Sequence, residues 1–436
     1  MAKFKRYDSY KNSGVEWLGE IPSHWEILTN KYIFKLKRNL VGKRSNKYVL
    51  LSLTLDGIVE RDLDKGGKFP AEFDMYQEVK NGDFVFCLFD VEETPRTIGL
   101  SEYDGMITGA YTVFDVRNVS KKYLYYFYLN LDNNKRLKPL YLGLRNTISK
   151  ENFFSFKTFI PPKDEQEKIA SYLDEKMAKI DASISGKEKF IELLKEQKRI
   201  IINDAVTKGL NKNAKFKNSG VEWLGEIPSH WEMLKLKFIG KIFAGLSDKK
   251  GDDFSKEFTS DKKPFIPFTN VCNNLKIDKN QMQYVKINPY ETQNKVREKD
   301  IIFLMSSETL EDIGKCSIYL EKEQLYLNSF CKGFRPNLSR INPEFLNYLL
   351  QSKTYRNYFN LAGRGFTRIN IKQEYISNLC AILPPKDEQE KIVEYIENKI
   401  SKIDKLLNLE QECIKSLKEY KASLIDSVVT GKVRIV

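Results

Sequence analysis

The fifteen residues NSGVEWLGEIPSHWE occur twice, at Asn12–Glu26 and Asn218–Glu232, with no position different. An identical stretch of that length marks a tandem duplication and requires a fold built from two copies of one unit. A second segment, PPKDEQEKI, runs from Pro161 to Ile169 and from Pro384 to Ile392. The first repeat is offset by 206 residues (218 − 12) and the second by 223 (384 − 161). The two units therefore share their ends and differ between them, a fixed frame around two variable middles.

Charge follows the same division. The net charge is +13. Segment 27–160 carries 21 Lys+Arg against 16 Asp+Glu, segment 233–383 carries 24 against 16, and the remainder is balanced at 27 each. All the excess positive charge thus sits in the two variable middles, the footprint of two polyanion-binding surfaces. Composition alone also admits a basic protein with no nucleic-acid role.

After each PPKDEQEKI comes a long helical pattern. In the second copy, positions spaced alternately by three and four run Val393, Ile396, Ile400, Ile403, Leu407, Glu410, Ile414, Leu417, Lys421, Leu424 and Val428. Subtracting 223 gives Ala170, Leu173, Met177, Ile180, Ile184, Lys187, Ile191, Leu194, Lys198, Ile201 and Ala205. Nine of eleven are apolar in each, and the polar exceptions fall at the same two places. This spacing is a coiled-coil seam, uninterrupted by Pro and closed by Gly209 and Gly431 as C-terminal caps. Two such helices of equal length, some 45 residues or roughly 65–70 Å, pack most simply antiparallel about a pseudo-two-fold axis. Lys187 and Glu410, equivalent positions, are expected to pair across the seam beside Ile180, Ile184, Ile191, Ile403, Leu407 and Ile414.

The expected fold class is α+β: two similar mixed α/β domains joined by two long antiparallel coiled-coil helices. The divisions are 1–26 (frame), 27–160 (first variable domain), 161–210 (first long helix), 211–232 (repeated frame), 233–383 (second variable domain) and 384–436 (second long helix). Within the middles, 47–59 reads as a strand with a turn. Val79–Phe89 and Val296–Met305 each read as a turn into a strand, followed by loops reaching Ile98-Gly99 and Ile313-Gly314. Ser120 and Asn342-Pro343 cap the helices that follow.

Little in the chain points to catalysis. There is no GxxxxGK[ST], no GxGxxG after a strand, no HExxH and no GxSxG. The only histidines, His24 and His230, belong to the repeated frame. The six cysteines form no CxxC pair and no zinc-ligand spacing, so no metal site is expected. No apolar run approaches a membrane span of about 20 residues, and the first residues lack an apolar signal region; a cytoplasmic location is expected. The acidic clusters Asp164–Glu167 and Asp387–Glu390 open helices, where carboxylates meet the positive dipole end. Trp17, Trp25, Trp223 and Trp231 lie in the constant frame and read as packing more than as a base-stacking platform.

The candidate DNA readers lie just before the Pro-Pro segments, where Arg145-Asn-Thr-Ile-Ser-Lys-Glu aligns with Arg368-Ile-Asn-Ile-Lys-Gln-Glu. Nearby glycines, with Arg364 in the second loop, allow a guanidinium to approach phosphate or guanine O6/N7. Lys150 and Lys372 fall in the same stretches. Arg38, Lys43, Arg44 and Lys47 in the first middle, and Lys249, Lys250, Lys262 and Lys263 in the second, are candidates for phosphate contact.

Gly19-Glu-Ile-Pro-Ser-His-Trp25 and Gly225–Trp231 opening each unit, and Pro161–Ile169 and Pro384–Ile392 opening each helix, resemble the specificity (S) subunit of type I restriction–modification systems. The resemblance spans essentially the whole chain. It implies two target-recognition domains that each read one half of a bipartite double-stranded DNA target. It also implies helices that set the spacer and dock two methyltransferase (modification) subunits, with motor/nuclease (restriction) subunits in the full complex. S-adenosylmethionine, ATP and Mg²⁺ would be used by those partners, and no cofactor by this chain. The competing readings are an enzyme acting alone and a coiled-coil scaffold binding acidic protein partners.

Overall fold

A computed structural model describes residues 5–62, 72–143, 146–365 and 368–435. The chain divides into two compact units, Met1–Glu188 with Gln411–Val436, and Lys189–Glu410. Both cuts fall inside the long helices, Lys163–Lys208 and Lys386–Val429. Each unit is thus completed by the last turns of the helix that belongs to the other repeat.

At the heart of the first unit is a four-stranded antiparallel sheet, ordered Phe34–Lys37, Thr112–Val116, Phe84–Phe86, Ile98–Leu100. The second unit repeats that order with Gly240–Ala244, Cys331–Pro336, Ile301–Leu304 and Cys316–Ile318. In both, an aspartate makes the turn into the third strand of that order. Asp83 accepts the Lys80 amide at 2.8 Å and Asp300 the Arg297 amide at 2.8 Å, a local side-chain bond that favours a turn over a continued strand. The same carboxylates bind another strand of the sheet, Asp83 through Lys37 of the first strand at 2.6 Å and Asp300 through Arg335 of the second at 2.7 Å. Segment 47–59, expected as a strand with a turn, opens a hairpin of two strands, Leu51–Thr54 with Gly57–Glu60.

The shared topology corrects one alignment. Ile98 pairs with Phe86, whereas it is Cys316 that pairs with Phe303. Ile98 is therefore matched by Cys316, and Ile313-Gly314 lies upstream, with Gly314 in a turn at φ +67°. The length difference is also placed. Phe34 to Phe84 spans 50 residues and Gly240 to Ile301 spans 61, so 11 of the 17 extra residues lie between those strands. They contribute to a second sheet containing Phe254–Ser255, Gln283–Lys286 and Lys262–Ile266.

The cores differ in kind. In the first unit Phe34 touches the rings of Phe84, Phe86, Phe114, Tyr128 and Phe153 at centroid distances of 5.3–5.7 Å. The second unit packs Ile301, Phe303, Phe334, Leu346 and Leu349 against Ile202, Ala205 and Val206 from the end of the first long helix. Ser120 caps Lys121–Asn133 by accepting the Tyr123 amide, and Asn342 caps Pro343–Gln351 by accepting those of Glu344 and Phe345.

The long helices have 46 and 44 residues, two apart where equality was expected. Their 3-4 positions are buried or half-buried throughout, including Ile180, Ile184, Ile191, Ile403, Leu407 and Ile414. In the first unit Lys421 binds Asp181 at 2.6 Å, while Gly431 lies against Trp25, whose indole binds Glu165. In the second, Lys198 binds Asp404 at 2.7 Å, while Gly209 lies against Glu388. As one helix advances its neighbour recedes, so the pairing is antiparallel in each unit. The polar seam exceptions Lys198 and Lys421 thus meet aspartates that are themselves 223 residues apart. Lys187 and Glu410 are half-buried.

Candidate nucleic-acid interface

Each variable domain is held to the frame by two residues of the PPKDEQEKI segment. Glu165 Oε1 accepts the Trp25 indole N–H at 3.1 Å and the Tyr7 hydroxyl, and Oε2 lies 2.8 Å from His24 Nε2. Glu388 repeats this with Trp231 at 3.2 Å and His230 at 2.8 Å. Trp25 and Trp231 are buried, so their N–H groups need these acceptors. Gln166 Oε1 accepts the Ser120 amide at 2.7 Å while its Nε2 donates to the Pro161 carbonyl at 2.8 Å. Gln389 does the same with Asn342 at 2.7 Å and Pro384 at 2.9 Å. Glutamate thus fastens the frame, and glutamine fastens the cap of the domain's own helix. The sequence signal was the same Glu-Gln pair in both copies, inside a cluster read as helix-capping or as an interface.

The tryptophans pack. Arg136 lies over Trp17 at 4.8 Å and is ion-paired to Asp426, whose carboxyl is held below its usual range. Burial opposes that shift, and the bonds from Lys432 and Arg136 outweigh it. Trp223 packs instead on Tyr355 and Tyr358, at 5.1 and 4.8 Å.

In the first domain Arg38 and Lys150 both line a cleft of about 900 Å³. Its walls carry Leu40, Met75, Phe89 and Tyr111, the last two rings stacked at 6.2 Å. Lys43, Arg44 and Lys47 sit on a separate turn, Gly42–Lys47. There Lys43 pairs with Asp74 at 2.9 Å and Arg44 lies over Tyr48 at 6.0 Å. Arg145 lies outside the described residues.

In the second domain Arg368 is exposed, rests over the Phe330 ring at 4.8 Å and lines a cavity of about 410 Å³. Arg364 is turned back, donating to the carbonyls of Leu361 and Gly363 at the end of its helix. Lys372 is exposed at the start of Gln373–Ser377. Lys249 departs from the expectation of phosphate contact. Its side chain is 5% exposed and bound to Glu291 at 2.5 Å, so its charge is neutralised inside the domain. Lys262 is half-buried and donates to the Phe254 carbonyl at 3.3 Å, whereas Lys250 and Lys263 are exposed. None of these four lysines lines the cavity of Arg368. Phe330 and the Phe89–Tyr111 stack carried no sequence signal.

Two similar domains of one topology, each with an excess of positive charge and its own lining, stand on one duplicated frame. The family model for the type I restriction modification DNA specificity domain matches residues 104–193 and 228–418, and the chain belongs to that family. The chain is 24% identical to the putative type I restriction enzyme MjaX specificity subunit of Methanocaldococcus jannaschii, over all of this chain and 99% of that one. It is also 24% identical to the MjaVIII specificity subunit of the same organism, over 76% of this chain and 75% of that one. Among solved structures, the HsdS subunit from Thermoanaerobacter tengcongensis matches at 14% identity with a TM-score of 0.52, covering 95% of this chain and 98% of that one. A chain from work on complex assembly and conformational transition of the type I R-M system matches at 14% with a TM-score of 0.69, covering 94% and 98%. The chain is thus a DNA sequence-specificity subunit of the type I restriction–modification class, which sets aside the acidic-partner scaffold. Among the described residues, no helix is long and apolar enough to cross a membrane.

Proposed function

We propose that each unit reads one half of a bipartite, asymmetric double-stranded DNA target, and that this chain recognises DNA without catalysing its modification or cleavage. The observation that carries this is the pair of four-stranded sheets of one topology with unlike walls around their clefts. One scaffold set twice in one frame and re-cut at its surface serves two different ligands of one class. The long helices fix the distance between half-sites. The frame, with its repeated Glu–His–Trp junction, offers the same surface twice to two modification subunits. Lys187 and Glu410 pair at the middle of the helices and favour their register. S-adenosylmethionine, ATP and Mg²⁺ act on the modification and restriction subunits, which join this chain in the cytoplasm. Arg38, Lys150, Arg368 and Lys372 contact DNA, and Lys43, Arg44, Lys47, Lys250 and Lys263 meet phosphate.

The test is to map methylated adenines in cells carrying this chain and its modification subunit, then repeat after exchanging segment 233–383 for that of a relative. One half of the methylated motif is expected to change. A change in both halves would overturn the two-reader assignment.

A further inference from the structure

The cleft of the first domain and the cavity of the second occupy the same corner of the fold. In the first, the Ile148 amide donates to the Leu88 carbonyl at 2.8 Å, just past the strand Phe84–Phe86; in the second, the Ile371 amide donates to Met305 at 3.0 Å, just past Ile301–Leu304. Phe89 and Ser306 follow these positions and line the two hollows. Opposite them, Tyr111 and Phe330 stand just before the adjacent strand, Thr112–Val116 or Cys331–Pro336.

The contents of that corner differ chemically. Among the described residues, no acidic side chain lines the first cleft. Its exposed apolar groups include Met75 at 71% and Leu40 at 50%, surface left uncovered by the domain's own packing. The second cavity carries two carboxylates and one guanidinium. Asp312 is engaged by Lys315 at 2.6 Å and by the Thr309 hydroxyl at 2.9 Å. Glu308 is exposed, and among the described residues no ion pair joins it to Arg368. The Arg368 guanidinium lies over the Phe330 ring at 4.8 Å, a cation–π contact that steadies it without occupying its N–H donors.

We infer that the half-site of the second unit contains a G·C pair read by Arg368 and Glu308, whereas the first unit contacts thymine methyl groups through its Met75 and Leu40 wall. An ordered guanidinium matches the two acceptors of guanine, O6 and N7. A carboxylate facing DNA is repelled by phosphate and is tolerated where it meets a donor. The cytosine N4 amino group is such a donor; adenine sets the N7 acceptor beside its N6 donor, which disfavours an acceptor-only group. The apolar wall has no polar demand and complements the C5-methyl of thymine.

This rests on each unit reading its own half-site, and the experiment separates the two claims. The methylated motif is mapped for the complex of this chain with its modification subunits, unchanged and with Glu308→Gln or Arg368→Lys. The half-site that responds to exchanging 233–383 is expected to contain a G·C pair. Each substitution relaxes that position, lowering discrimination there roughly 5- to 150-fold and leaving the other half-site intact. Replacing thymine by deoxyuridine in the first half-site weakens binding about fourfold per methyl contacted. A second half-site without G·C, a uniform loss of methylation at an unchanged motif, or indifference to deoxyuridine overturns the inference. If the unchanged chain gives no two-part motif, the half-site reading itself fails.

Discussion

Glu165 and Glu388 show how one residue type does one task twice with different support. Each accepts a buried indole N–H, but Glu165 also takes the Tyr7 hydroxyl, whose pKa is raised by burial and by that carboxylate. The residue at the matching frame position of the second copy is Asn213 (7 + 206), and no bond from it reaches Glu388 among the described residues. Removing either carboxylate strands a buried donor, which costs roughly 1–3 kcal/mol. Glu165→Ala is therefore expected to destabilise its unit more than Glu388→Ala does, with the Gln variants milder because one acceptor oxygen remains. Urea unfolding followed by tryptophan fluorescence measures this; equal losses would contradict the added role of Tyr7. Residue scale is also where sequence reasoning was weakest. Arg364 and Arg368 are four apart in one loop, yet one guanidinium is folded onto helix carbonyls and the other lies on an aromatic shelf. Residue type and spacing are blind to that difference, because loop backbone geometry decides it.

The long helices were legible as elements because their period is a property of one strand of sequence. A 3-4 repeat states which face is buried, and burial follows it from Ala170 to Ala205 and from Val393 to Val428. What covers that face is a long-range fact that periodicity leaves open. Hence the end of each helix closing the other repeat's unit was not foreseen. The polar seam positions show the same split: their location was readable, and their aspartate partners were not. Lys198 and Asp404 have side chains 21% and 45% exposed, so solvent screening holds their worth to roughly 0.5–1 kcal/mol. Lys198→Glu is expected to lower the stability of the second unit by about that amount, and Asp404→Lys in the same chain to restore most of it. A double-mutant cycle on thermal unfolding checks this; additive losses would show that the pair does not interact. The matching cycle on Lys421 and Asp181 is expected to give the same sign in the first unit.

For the whole molecule, the separation of roles along the chain makes a stronger demand. If recognition resides in the two middles and spacing in the helices, length and sequence preference must vary independently. Seven residues in heptad register, inserted after Lys187 and again after Glu410, add two turns to both helices. That is about 10.5 Å of rise in each, with the Lys198–Asp404 and Lys421–Asp181 pairs and the 3-4 seam preserved on either side. Methylation mapping is then expected to show a changed spacer between unchanged half-sites, or no methylation where the new spacing sets the two readers on different faces of the duplex. DNA curvature and twist absorb part of such a change at an energetic cost, so the shift in base pairs need not match the added rise. An altered base preference in either half-site would contradict the division, because the insertions lie outside both four-stranded sheets and both recognition hollows. The identical fifteen residues fit the same demand. On the proposed reading, a frame that seats two copies of one modification subunit stays the same in both units, while the surfaces it carries are free to diverge.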